Sequence, residues 1–344
     1  MSNWYLQNGK DSDVVVSTRV RLARNLKGFK FENKCSEDEK KQILDKVEEI
    51  IPSLGYGLQL LKLKDMDEIT KISLVEKKLI TPDFIEKGEN TAIAINKEEN
   101  ICIMINSEDH LLLQVFGEGI ALEELMNLAV ELDQKMEKLL PYAYSEKYGY
   151  LTACPMNVGT GARVSVTMHL PGLAKTGNLN KVFHAVNSFA MSITGIYGDE
   201  NQNVGDMYQI FNNQTLGVTE QEIVKNMKTI VEKIIEQERI ARKYLGKNEI
   251  GFADKVYRAF GVLSNARLLS SNECLNLLSD VKLGTDMGVI AELNDFKIKK
   301  LYLYTKPYNL QKYLGKEMSK KERDAKRTEV IRQIINECTV CELL

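Results

Sequence analysis

The sequence predicts a mixed domain of strands and helices followed by an all-helical one, and three observations carry that reading. Two apolar runs, "TAIAI" and "ICIMI" (residues 91–95 and 101–105), flank the polar turn "NKEEN" as a strand pair with a short connection. "GARVSVTMHL" (161–170) alternates strictly, with Val164, Val166, Met168 and Leu170 on one face and Arg163, Ser165, Thr167 and His169 on the other. Beyond residue 245 almost every segment has helical spacing, so the boundary falls near residues 245–252.

The helices follow from their caps. Ser36 and Glu39 form a capping box, Ile43, Leu44, Val47, Ile50 and Ile51 make the apolar stripe, and Pro52 is expected to close the helix. "LEELMNLAVELDQKMEKLL" is a long amphipathic helix stopped by Pro141. Thr219 and Glu222 cap another, with Gly246 as its stop. Ser270/Glu273 and Ser319/Glu322 open helices of the second domain.

Bulk properties exclude several classes. The 344 residues are 44% hydrophobic and 27% charged, enough for a sizeable core. A net charge of −2 argues against a dedicated nucleic-acid binder. No run approaches the roughly eighteen apolar residues of a membrane span, and the N-terminus has no signal-peptide pattern. Six scattered cysteines suit a reducing, cytoplasmic setting, and the lone "CTVC" (Cys338 to Cys341) is too little for a zinc site.

Chemistry concentrates in a few stretches. "STRVRLARN" sets Arg19 and Arg21 two apart, pointing the same way on an extended chain; a solvated strand edge would look the same. In "GTGARVSV" a glycine-rich turn precedes Arg163, which suits backbone N–H groups and a guanidinium on a phosphate, though such turns are common. "INSEDH" ends the run "ICIMI" in Glu108 and Asp109, either at a site or at a surface. "TGIYGDENQNVGDMYQIFN" is a glycine-punctuated acidic loop. In "ERDAKRTEV", Arg323 and Arg327 lie four apart on one helical face, both read as exposed.

"STRVRLARN", "NSEDH", "GYLTACPMNVGTGARVSV" and "GIYGDENQNVGDMYQIFNNQTLG", in that order, resemble the ATP:guanidino phosphotransferases, the family of creatine and arginine kinases. The helical domain after them is similar to that of the bacterial protein-arginine kinases. The resemblance implies an α+β fold: a phosphagen-kinase-like catalytic domain over residues 1–245, an antiparallel sheet flanked by helices, then a smaller all-helical domain over 250–344. It implies transfer of the ATP γ-phosphoryl group to arginine side chains of proteins with exposed arginines, marking them for an unfoldase–protease in a cytoplasmic stress response. ATP and Mg²⁺, an activator protein and a homodimer come with that reading; nucleic acid and membrane do not, and no protein metal site is implied.

The site roles are also carried by resemblance. Glu108 matches the carboxylate that orients or deprotonates the attacking nitrogen, Asp199 the second substrate carboxylate (usually a glutamate), and Cys154 the active-site cysteine. Nucleotide binding falls to Ser17, Thr18, Arg19, Val20 and Arg21, to Arg163, Val164, Ser165, Val166 and Thr167, and to Gly195, Ile196, Tyr197 and Gly198. Arg323, Asp324, Arg327 and Thr328 match a phosphoarginine-binding motif. Leu112 and Thr194 stand where the family has phosphate-binding arginines, and Lys78 falls near a family histidine. Two alternatives stay open: an adaptor that binds phosphoarginine without turnover, and a kinase of free guanidino metabolites.

Overall fold

A computed structural model describes residues 3–196 and 203–337. Strands β1 (Val15–Arg24), β2 (Gln59–Lys62), β3 (Ala92–Ile95), β4 (Ile101–Ile105) and β5 (Leu111–Glu118) come first, and β6 (Tyr144–Ser145) pairs with β7 (Gly149–Tyr150) in a small ribbon. With β8 (Ala162–His169), β9 (Met191–Gly195) and β10 (Met207–Asn212) they complete an eight-stranded sheet of order β2-β3-β4-β5-β1-β8-β10-β9. The pairings of β1 with β5 and β8, and of β2 through β5 in succession, are antiparallel.

Helices α1 (Glu37–Leu54), α2 (Glu68–Glu76) and α3 (Leu122–Glu137) flank this sheet, and α4 (Pro171–Lys175) and α5 (Leu179–Ser188) follow β8. Helix α3 packs on β1 and β5 through Leu125, Ala129, Leu132 and Met136, spaced three and four apart. The opposite face of β3–β5 is sealed by Leu74, Leu79, Ile80 and Phe84 over Ile93, Cys102, Met104 and Phe116. Burial on both faces explains why "TAIAI" and "ICIMI" are almost purely apolar.

The capping boxes at Ser36 and Ser319 form as expected, and Thr219 exchanges bonds with Glu222. Pro52 does not close α1. The helix continues to Leu54 and ends at Gly55, where φ is +79°, because a proline so near the C-terminus forfeits only one of the last backbone bonds.

Helix α6 (Glu220–Leu245) precedes α7 (Glu249–Asn265), α8 (Ser271–Asp286), α9 (Asp295–Tyr304), α10 (Pro307–Leu314) and α11 (Lys320–Asn336). By compactness the chain forms two units. One holds residues 1–168, 178–194 and 208–237; the other holds 238–344 together with 169–177 and 195–207. The second has its own apolar core from α7, α8, α9 and α11, including Val256, Leu263, Leu278, Val281, Ile298, Leu301 and Ile331. Among the described residues no helix is long and apolar enough to cross a membrane.

Candidate active site

The arginine pair does not lie on a sheet edge. β1 is a central strand between β5 and β8, and the register sets Arg21 directly opposite Arg163 and Arg19 opposite Ser165. Directly opposed residues share a face of the sheet with Cβ atoms about 5 Å apart, so three guanidiniums are gathered on one surface. Like charges so placed repel, and their acidity records it. Burial, then Arg21 and Arg163, hold Arg19 well below its usual value. Burial and then Arg163 bring Arg21 down to about 10, partly offset by Glu108. Burial lowers Arg163 too, while Cys154 and Glu108 pull it back up.

Few protein groups answer these charges. Arg19 Nε donates to Ser165 Oγ at 3.3 Å, and the Arg163 guanidinium lies 4.4 Å over the ring of Phe211. The Nε of Arg21 is buried with no hydrogen-bond partner. Such a donor is costly unless something fills the site. The cluster is chemically a receptor for a multiply charged anion.

Arg24, three residues on, has the opposite fate. It is 2% exposed, bonded to Asp133 at 2.7 Å and to the carbonyls of Ala23 and Thr160, with the Tyr150 ring 3.5 Å from its guanidinium carbon. It is a structural cation with its bonds satisfied.

The glycine-rich turn also has a structural explanation. A Cβ on Gly159 would lie 2.3 Å from the Thr215 carbonyl, and one on Gly161 2.5 Å from Arg24 Nη1. The N–H groups of Gly159, Thr160 and Ala162 donate to Tyr150 O, Thr215 O and Thr160 Oγ1. These amides are engaged inside the protein, so the expected backbone cradle for a phosphate is not formed by them.

The hairpin between β4 and β5 divides the two carboxylates. Asn106, at φ +58°, turns the chain, and its side-chain amide donates to the carbonyls of Lys40 and Asn90. Asp109 points inward, 1% exposed, accepting from Asn25 Nδ2 and the Ala153 N–H at 2.6 Å each. Burial raises its pKa and those two bonds oppose the rise. His110 is fixed as the Nε2–H tautomer, since Nδ1 accepts from the Leu26 N–H and Nε2 donates to the Lys30 carbonyl. Glu108 alone is exposed, and its charge is felt at Arg21 and Arg163. Asp109 thus anchors the Cys154 segment through Ala153, and Glu108 faces outward beside the arginines.

Alternation sorts the other expected residues. Ser17, Arg19 and Arg21 share their face with Thr167, Ser165 and Arg163. Thr18, Val20, Val164 and Val166 are fully buried on the other face, so their side chains are turned away from the arginines, contrary to expectation. Ser165 and His169 are buried as well, which corrects the expectation of a uniformly polar face. Gly195 and Ile196 end β9 and lead away from it, while Tyr197, Gly198, Asp199 and the pair Cys338/Cys341 lie outside the described residues. Leu112 opposes Ala23 on the arginine face and packs against the Leu79 cluster; Thr194 is exposed. Sequence reasoning missed Phe211, Gln114 and Asn25. Gln114 opposes Arg21 and donates to the Leu79 carbonyl.

In the helical unit, Arg327 is not exposed. It is 1% accessible and donates to the carbonyls of Thr305 and Leu269, to Asp324 and to Ser271 Oγ. Thr328 is buried with it. Only Arg323 keeps a half-exposed guanidinium, bonded to the Met318 carbonyl. The four-residue spacing holds; a matched pair of free cations does not. Arg327→Ala should therefore destabilise the protein by about 3 kcal/mol or more in denaturant melts, against about 0.5 kcal/mol for Arg323→Ala. Equal, small losses would show the Arg327 bonds to be energetically idle.

A second expectation follows from the like-charge cluster. Arg21→Gln should leave the unfolding free energy unchanged or raise it by up to about 1 kcal/mol of relieved repulsion, with no fall in melting temperature. The same variant should weaken tripolyphosphate binding by about tenfold or more, one charge-assisted bond. A clear fall in melting temperature would make Arg21 a structural residue instead.

Two family models match the chain. "ATP:guanido phosphotransferase, C-terminal catalytic domain" covers residues 40–241, and "Protein-arginine kinase McsB C-terminal domain" covers 249–342. The protein-arginine kinase of Halothermothrix orenii is 44% identical over 98% of this chain and 97% of its own length. That of Clostridium acetobutylicum is 39% identical over 97% and 99%. Among solved structures, the duplicated taurocyamine kinase of Schistosoma mansoni superposes with a TM-score of 0.61 at 26% identity, over 75% of this chain and 40% of that one. A lombricine kinase, at 24% identity and a TM-score of 0.58, shares the fold over 67% of each chain.

Proposed function

Because the chain belongs to the ATP:guanido phosphotransferase family, among its protein-arginine kinases, we propose that it transfers the γ-phosphoryl group of ATP to arginine side chains of proteins. The observation that carries this reading is the set of three under-neutralised arginines on one sheet face, with the exposed Glu108 beside them.

Each residue then has a task. Arg19, Arg21 and Arg163 hold the triphosphate and balance its charge, filling the vacant valence of Arg21 Nε. A bound magnesium ion would supply further neutralisation of the phosphate charge. Among the described residues no three acidic, histidine or cysteine side chains cluster to hold one, so it would enter on the nucleotide. Glu108 accepts the acceptor guanidinium and takes a proton from its terminal nitrogen. That frees a lone pair to form the N–P bond as the bond from Pγ to the ADP oxygen breaks. Cys154, tethered through Ala153 to Asp109, lies within electrostatic reach of Arg163. Asp199 is the second carboxylate of the acceptor site by resemblance alone.

The wider reading rests on the same membership. Marking of proteins for an unfoldase–protease, an activator protein, a homodimer, a cytoplasmic stress role and a catalytic domain ending near residue 245 are part of the proposal. Within it, phosphoarginine recognition by the helical domain falls mainly to Arg323, since Arg327 is committed to the fold.

Glu108→Gln should abolish phosphoarginine formation while leaving ATP affinity within about twofold, because an amide cannot take the proton. Labelled ATP, an unfolded protein acceptor and an acid-lability assay for P–N bonds measure this. Parallel loss of ATP binding and turnover would remove Glu108 from the acceptor side.

One observation favours the adaptor alternative: Leu112 sits on the arginine face as an apolar side chain. If the missing charges limit the enzyme, Leu112→Arg with Thr194→Arg should raise kcat/KM for ATP by at least about tenfold. Brisk wild-type turnover with no gain in the double variant would mean that other cations complete the clamp. Lys78, exposed beside Leu79, would be the first to test.

A further inference from the structure

Two stretches distant in sequence meet at the end of β1 and are joined there by one side chain. Asn25 follows the last residue of β1 and is 2% exposed. Its Oδ1 accepts from the His110 N–H at 3.0 Å, on the hairpin that carries Glu108. Its Nδ2 donates to Asp109 Oδ1 at 2.6 Å and to the Leu151 carbonyl at 3.0 Å, just before Cys154. Both amide protons and the carbonyl oxygen are thereby engaged. The amide orientation is fixed as well. Flipped, its oxygen would face two acceptors and its nitrogen would face an N–H.

The neighbouring bonds make Asn25 a junction. Its carbonyl accepts from the Ala143 N–H at 2.7 Å, and the next amide, that of Leu26, donates to His110 Nδ1 at 3.0 Å. On the other side, Asp109 Oδ1 also accepts from the Ala153 N–H, and Thr152 Oγ1 donates to the Cys154 carbonyl at 2.7 Å. Asp109 Oδ2 is buried without a hydrogen-bond partner, so the bonds of that carboxylate to Asn25 and Ala153 both run through Oδ1. The chain from 151 to 154 is therefore fastened at Leu151 by Asn25 and at Ala153 by Asp109, which Asn25 fastens in turn. All of these residues belong to the compact unit that contains β1.

We propose that Asn25 is a positioning residue for the acceptor side of the phosphoryl transfer: its side-chain amide sets the hairpin of Glu108 and the segment of Cys154 at one fixed separation. This rests on the acceptor-site reading of Glu108 given above. Asn25 directly extends the strand that carries Arg19 and Arg21, so one strand aligns both the triphosphate and the acceptor.

A reacting group displaced by about 1 Å can lose on the order of a hundredfold in rate. In the full-length protein, Asn25→Ala should lower kcat for arginine phosphorylation of an unfolded protein by about tenfold or more, with ATP affinity within about twofold of wild type. It should also speed alkylation of Cys154 by iodoacetamide by about fivefold or more, as expected when one hydrogen bond no longer holds the segment closed. Mass spectrometry of the cysteine peptides reads this site by site. Cys102 and Cys274, each buried in an apolar core, should stay unreactive and report an intact fold. Asn25→Ser keeps a small polar group in the same space and carries the same expectations should the alanine variant not fold. Unchanged Cys154 reactivity, a parallel rise at Cys102 or Cys274, an equal loss of ATP affinity, or failure of both variants to fold would overturn the proposal. A wild type that binds ATP yet forms no phosphoarginine would defeat the kinase reading instead; the Cys154 rates would still decide whether Asn25 holds the two segments together.

Discussion

The register of β1 between β5 and β8 is the constraint on which the site depends. A central strand has both edges paired, so its side-chain directions are set by two independent ladders and cannot slip by one residue without burying charges. That double pairing forces Arg21 against Arg163 despite their repulsion. The cost is borne by the apolar packing beneath, where Val20, Leu22, Val164 and Val166 are wholly buried. Stability is thus supplied on one face of the strands and strain held on the other, the expected arrangement for a site organised before its ligand arrives.

The same economy runs through the hairpin at residues 106–110. Adjacent carboxylates are separated by burial alone: Asp109 is enclosed by Asn25 and Ala153, and Glu108 is left accessible. One is held in the scaffold, and the other is left open to solvent. Arg24 and Arg327 repeat the lesson for cations. Each lies in a motif rich in arginine, and each is consumed by carbonyls and a carboxylate inside the protein.

Membership in the guanidino phosphotransferase family accounts for the sheet and its arginines, and the helical domain places the chain beside the protein-arginine kinases. That domain does more than follow in sequence. Residues 169–177 and 203–207, drawn from the middle of the family's catalytic match, gather in its compact unit.

Local pattern determined a good deal. The capping boxes at Ser36 and Ser319, the strand pair around "NKEEN" and the shared direction of Arg19 and Arg21 follow from spacings of two, three and four residues, which any extended or helical chain must obey. The resemblance then drew Glu108, Cys154 and Arg163 into one hypothesis. What the spacing could not decide was burial and partnership. Arg323 and Arg327 are equivalent on a helical wheel, but only Arg327 meets the carbonyls of Leu269 and Thr305, which are distant in sequence. Gly159 and Gly161 look like a phosphate cradle until Thr215 and Arg24 are brought against them. Periodicity is a property of one segment, whereas the partner of a charge is chosen by a second segment that only the folded chain brings near.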